Sequence, residues 1–203
     1  MSVTAEVIRL SSGEYPGARP GPTTFITHAG LRVDPFDLQP DHIRLEDIAH
    51  ALSMQCRFIG HVRKFYSVAQ HSVLVSWTVP RKDALWGLLH DASEAYCTDL
   101  IRPIKHAPGF ETYKRMEEAI ERVIAEAFEL PWPRPNSVTI ADRRLLQTER
   151  RDLKGVTLKP PTRMEDEPLD RVIQPWSPEY AKRQFLRQYL VLADPLNPAI
   201  ARM

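Results

Sequence analysis

The chain has 203 residues, 43% of them hydrophobic and 26% charged, a length that predicts one domain with its own packed core. Lys plus Arg number 27 and Asp plus Glu 26, so the formal net charge is +1, without the global basic bias expected of a nucleic-acid or anionic-membrane binder. Two cysteines, Cys56 and Cys97, are too few for a disulfide framework and predict a reduced, cytoplasmic protein. No apolar run approaches the roughly 20 residues of a membrane span. The first 19 residues lack the basic start and apolar block of a signal peptide, with Glu6 and Glu14 interrupting them.

Thirteen of the 18 prolines fall within 16–40, 131–135 and 160–178, which predicts connectors there because proline breaks helix interiors. Residues 1–40 read as an irregular extension with one small hairpin. Its strands are Thr23-Thr24-Phe25-Ile26 and Leu31-Arg32-Val33, turning at Ala29-Gly30. A first helix is expected over 45–54, where Leu45, Ile48, Ala49 and Leu52 repeat at helical spacing. Ser67 with Gln70 three residues on fits a capping box that opens a second helix, stopped by Pro80. A third, from about 83 to 96, is apolar on most sides and belongs in the middle of a bundle, with Trp86 in the core. A fourth over 111–128 carries Tyr113, Met116, Ile120, Val123, Ile124 and Ala127 on one stripe. A fifth follows Asn136-Ser137 to about 153. The last is capped by Ser177, opens on Pro178 and runs to 192. Six helices and almost no strand give an all-α fold in a single domain, with a core over about 46–153 and a C-terminal helix over 176–193.

Leu88-Leu89-His90-Asp91-Ala92-Ser93-Glu94-Ala95 carries the chemistry. An imidazole and two carboxylates interrupt the most apolar helix, where buried charge is costly unless paired or bound to a metal. Glu94 is i+4 from His90 and i+3 from Asp91, so the three share one side of a helix. His71, one turn into the second helix, and Asp142, early in the fifth, offer the remaining ligands. Two imidazoles and two carboxylates suit Co²⁺, Mn²⁺, Fe²⁺, Zn²⁺ or Ni²⁺, and the lack of thiolates argues against a purely structural zinc.

His71, His90-Asp91 and the distant Asp142 resemble the H…HD…D signature of the HD-domain metal-dependent phosphohydrolases. Gln70-His71-Ser72, His90-Asp91-Ala92-Ser93-Glu94, Thr98-Asp99-Leu100 and Pro103-Ile104-Lys105 together resemble the bacterial 5′-deoxynucleotidase branch and its phage and biosynthetic relatives that act on deoxynucleoside triphosphates. The resemblance spans about 46–153. It implies that His71, His90, Asp91 and Asp142 bind the metal and that Glu94 and Asp99 orient the attacking water and handle its proton. Arg57 matches an arginine that holds phosphate or sugar, and Lys105 a lysine that lies along a triphosphate, beside which a second metal, Mg²⁺, would sit. Phe58 stands where the deoxynucleotidases carry tryptophan. His61, on a loop expected to face the site, is a further phosphate contact to test.

The expected function is hydrolysis of (deoxy)nucleotides. Its products are either nucleoside plus phosphate from monophosphates or nucleoside plus triphosphate from deoxynucleoside triphosphates. The alternative is a non-catalytic nucleotide- or nucleic-acid-binding module on the same fold. Ala95 stands where alarmone hydrolases carry an acidic residue, and no Gly-Tyr-Pro follows as in cyclic-dinucleotide phosphodiesterases. The expected partners are a small-molecule nucleotide and a second copy in a dimer or larger homo-oligomer, with no membrane and no strong nucleic-acid binding. His50 reads as a structural residue of the first helix, and His28, His42 and His106 as solvent-facing. Arg143-Arg144 and Glu149-Arg150-Arg151 read as an exposed helix face with intrahelical pairs.

Overall fold

The computed structural model describes residues 23–155, 163 and 167–193. The expected N-terminal stretch before residue 23 and much of the connector after residue 155 lie outside them. The described chain is all-α with one small hairpin. β1 (Phe25–Ile26) pairs antiparallel with β2 (Arg32–Val33), Phe25 opposite Val33, and Gly30 takes φ 85° in the turn between them.

α1 (Leu45–Met54) buries Ile48, Ala49 and Leu52, the positions its spacing selects. At roughly 1.5–3 kcal/mol for each large side chain removed from water, this stripe anchors the helix. α2 (Val68–Ser76) is buried on every side and is capped by Ser67 Oγ, which accepts from the Gln70 N–H at 3.1 Å. It packs against α1, α3 (Ala84–Leu89), α7 (Asn136–Leu153) and α8 (Pro178–Ala193). A Cβ at Gly87 would lie 2.9 Å from Ser76 Cα, so α2 and α3 approach as closely as a missing side chain allows. α6 (Glu111–Ala127) buries Met116, Ile120 and Ile124 of its expected stripe. Trp86 is buried and donates from Nε1 to the Pro131 carbonyl at 2.7 Å. Among the described residues, no helix is long and apolar enough to cross a membrane.

The expected helix over 83–96 is interrupted. α3 ends at Leu89, and α4 (Glu94–Cys97) begins only after a turn at residues 90–93. Through that turn the backbone bonds span three residues instead of four: Ala92 N–H donates to Leu89 O at 2.9 Å and Glu94 N–H to Asp91 O at 3.0 Å. Such tightening aligns residues three apart, so Asp91 and Glu94 keep a common side although the α-helix does not continue. A short α5 (Arg102–Lys105) follows, in a stretch for which periodicity gave no helix.

Candidate metal centre

α2, the turn after α3 and α7 each bring part of one cluster to the same point. His71 Nε2 lies 3.2 Å from His90 Nε2, 3.2 Å from Asp142 Oδ1 and 3.5 Å from Asp91 Oδ2, while His90 Nε2 lies 3.2 Å from Asp91 Oδ1. His71, His90 and Asp142 offer ligand atoms that all fall within 4.8 Å of one another, a group able to hold a metal ion. His71 and His90 are buried; Asp91 and Asp142 are half-buried and open the cluster to one side.

The far side of each imidazole decides what the near side can do. His71 Nδ1 sits 2.6 Å from Glu149 Oε1, and His90 Nδ1 sits 2.9 Å from the Gly87 carbonyl. Both partners only accept, because burial would raise Glu149 but Arg57 and His71 hold its carboxyl below the usual range. Each Nδ1 therefore donates to its partner, and each ring turns its Nε2 toward the other and toward two carboxylates. Four acceptors that face one another need a cation between them. A second proton on His71 is one such cation. Burial and Arg57 oppose it, but Glu149 and Asp142 outweigh them and raise the imidazole to about 9.

A divalent metal is the other cation, and the residues fit it. Burial works against ionised Asp142, yet His71 holds its carboxyl down at about 2, and His90, His71 and Arg57 hold Asp91 far below the carboxylate range despite burial. Asp91, Asp142 and Glu149 against Arg57 leave two negative charges uncancelled. Metal uptake would then release the His71 proton.

Glu94 is 8% exposed, and its Oε2 has no hydrogen-bond partner. Burial first, then the negative charges of Asp91 and Asp99, push its carboxyl well above the usual range. Asp99 is exposed by surface area, yet partial desolvation and the charge of Asp91 still raise it. It follows Thr98, which holds φ 56° and accepts at its carbonyl from the Tyr113 hydroxyl, so a strained residue sets where Asp99 begins.

Of the residues expected to contact substrate, Arg57 reaches the cluster. Its guanidinium donates from NH1 to Asp91 Oδ2 at 3.4 Å and from NH2 to Glu149 Oε2 at 3.2 Å, and these carboxylates raise its pKa against the cost of burial. Its Nε is buried without a partner. Phe58 and Ile59 stand at φ 57° and 52°, a conformation β-branched Ile59 strongly resists, and Phe58 lies with its ring 5.0 Å from Lys154 Nζ. His61 is exposed at the end of that turn. Lys105 pairs with Glu117 and lies 5.9 Å from the centre of the Tyr113 ring, so its charge is engaged on α6.

Glu149 corrects the sequence reading. It is not part of an exposed face but fully buried, bonded to His71 and Arg57. The arginines expected to pair along α7 also reach elsewhere: Arg144 Nε donates to the Glu167 carbonyl, and Arg151 to the carbonyls of Leu169 and Arg171. A usable signal was present, because Glu149 lies seven residues after Asp142, two turns along the same helix face. Two further supports reach partners far away in the chain. Arg134 donates to the His90 carbonyl at 3.2 Å while pairing with Glu121. Gln70, next to His71, donates from Nε2 to the Gln174 carbonyl and accepts at Oε1 from the Trp176 N–H, both at 2.8 Å.

No protein-family model matches the chain. It is 50% identical over 116 residues to the uncharacterized protein YfdR of Escherichia coli (strain K12), an alignment covering 57% of this chain and 64% of that relative's length. It is 33% identical over 139 residues to the uncharacterized protein RCAP_rcc00048 of Rhodobacter capsulatus, covering 63% of this chain and 71% of that protein. With that identity over that share of the relative, the chain belongs to the family of the Rhodobacter capsulatus protein.

Proposed function

We propose that this protein is a metal-dependent phosphohydrolase of the HD type that acts on small (deoxy)nucleotides. The observation that carries the reading is the convergence of the His71 and His90 imidazoles with the Asp91 and Asp142 carboxyl groups, beside a buried Glu94 carboxyl that has no partner. His71, His90, Asp91 and Asp142 would hold the ion, drawn from Co²⁺, Mn²⁺, Zn²⁺, Fe²⁺ and Ni²⁺. When bound, such an ion neutralises phosphate oxygens and makes water a nucleophile near neutral pH.

The chain's own residues do the rest. Burial and acidic neighbours raise the proton affinity of the Glu94 carboxylate, which suits it to orient a water and take its proton at Oε2. Asp99, in the same electrostatic field, is suited to pass that proton to solvent. Arg57 presents a planar fork whose charge is already directed into the cluster, which suits a phosphate oxygen at its rim. Phe58 packs beside it as the apolar neighbour for the nucleoside. Lys105, committed to Glu117, would have to leave that pair to follow a polyphosphate, optionally with Mg²⁺. The cysteine usage suits a cytoplasmic enzyme, and the resemblance one that assembles as a dimer or larger.

The test is a product analysis. Metal-free protein is incubated with Co²⁺, Mn²⁺ or Zn²⁺ and a panel of ribo- and deoxynucleoside mono- and triphosphates, and products are separated by ion exchange. Nucleoside plus orthophosphate from monophosphates alone identifies a 5′-nucleotidase. Nucleoside plus intact triphosphate identifies a triphosphohydrolase. No turnover with any metal overturns the reading and favours a binding module.

A further inference from the structure

We propose that Glu149 is the positioning residue of this centre, one carboxylate that fixes the ring of ligand His71 and holds Arg57 against ligand Asp91. The inference deepens the proposed function and rests on its metal ligands. Glu149 follows Asp142 by seven residues, and at about 100° per residue the two side chains leave α7 on nearly the same bearing, two turns apart. A single helix face thus supplies a ligand and the support of a second ligand that comes from α2.

The carboxylate has no exposed surface and spends both oxygens. Oε1 accepts from His71 Nδ1 at 2.6 Å; Oε2 accepts from Arg57 NH2 at 3.2 Å; the other arm of the same guanidinium reaches Asp91 at 3.4 Å. A carboxylate behind a ligating histidine fixes both its tautomer and its ring plane. Here the same group also fixes a cation, so a ligand on α2 and a ligand after α3 are linked through Glu149 and Arg57 without either contact passing through the ion. Glutamine in the same place offers one acceptor and one donor group. It faces two N–H donors and must leave one of them opposite an amide N–H, so charge and geometry fail together.

The experiment uses the full chain, stripped of metal and titrated with Co²⁺ alone, with uptake followed by calorimetry and by the visible absorption of the ion. Glu149→Gln should weaken Co²⁺ binding by about 10–100-fold with the far-ultraviolet dichroism of the fold retained. Glu149→Asp, which keeps the charge on a shorter arm, should recover part of that loss. A merely structural glutamate would change stability and leave Co²⁺ affinity where it was, and that result overturns the role. Should Glu149→Gln not fold, histidine ¹⁵N spectra of the Zn²⁺-loaded wild type decide: His71 protonated at Nδ1 and shielded from exchange supports the role, and protonation at Nε2 overturns it. Wild-type protein that takes up no Co²⁺ overturns the metal reading and this role together. Uptake weakened by Glu149→Gln in a protein that releases no phosphate overturns the hydrolase and leaves the role standing.

Discussion

Among the described residues two pairs of histidine rings face each other, and they differ in burial, in ring geometry and in what stands behind each ring. His71 and His90 meet with ring centres 5.1 Å apart and planes tilted by 49°, both buried, each Nδ1 tied to a fixed acceptor. His28, from the hairpin turn, and His50, from α1, lie face to face at 3.6 Å and 2°. Their neighbours are Glu46, Lys182 and Asp47, which accepts the Ala29 N–H and pins the turn to α1. The stacked rings lie in parallel planes, whereas the tilted pair brings its two Nε2 atoms within 3.2 Å of each other. Proximity of two imidazoles does not make a site; the acceptors behind them do.

The largest effect should come from Asp91→Ala, which removes a ligand contact and a partner of Arg57 together. Metal should be lost on dialysis and phosphate release should fall to background, as read by metal analysis and product assay. Retained metal at wild-type stoichiometry would remove Asp91 from the ligand set. Glu94→Ala should keep the metal and slow turnover by ~10²-fold or more, the scale of a positioned acid or base. Full activity in that variant would end its assigned role.

Metal itself sharpens the contrast at a smaller scale. Free Co²⁺ at about 100 times its Kd should stabilise the fold by ~2.7 kcal/mol, measured as a shift in thermal unfolding. His50→Gln should leave that shift unchanged, and losing it there would show that the stacked pair binds the ion.

The smallest effects are in pH, and they carry opposite signs. In metal-free protein the folded pKa of His71 is raised to about 9 by Glu149 and Asp142 against burial and Arg57, so the folded state holds the extra proton. That contribution is complete below the unfolded value of about 6.5 and is lost as pH rises toward 9. His50 is lowered, by burial first and then by the charges of His28 and Lys182, so its neutral form is the one that folds. Its contribution makes stability fall as pH drops below about 6.5. Unfolding temperatures across pH 5–9 should show both limbs. His50→Gln should flatten the acid limb, and saturating Co²⁺, which replaces the His71 proton, the alkaline one. An acid limb unchanged in His50→Gln would remove the stacked pair from the account.

Much of this was legible in the chain itself. The stripe of Leu45, Ile48, Ala49 and Leu52 bounded α1, Ser67 marked the start of α2, and Pro178 opened α8, because periodicity and caps are local. The break at residues 90–93 was not legible. Neither glycine nor proline stands there; the turn is accompanied by the contact of His90 Nδ1 with the Gly87 carbonyl and by the close approach of α3 to α2 at Gly87. Glu149 was obscured by its neighbours Arg150 and Arg151, since a charge triplet reads as a wet surface until a partner 78 residues away is placed against it. The pairing of Lys105 with Glu117 was not legible either, because it joins α5 to α6 across a break between the helices.

Gln70 has a consequence for how the molecule transmits force. Its amide serves as a rung between α2 and the stretch before α8, donating to Gln174 and accepting from Trp176 as a strand's backbone would. The lead-in to α8 is therefore fastened one residue from His71 by two hydrogen bonds to a single amide. Loosening of the last helix would thus be felt first at α2, beside the imidazole that His71 offers to the candidate centre.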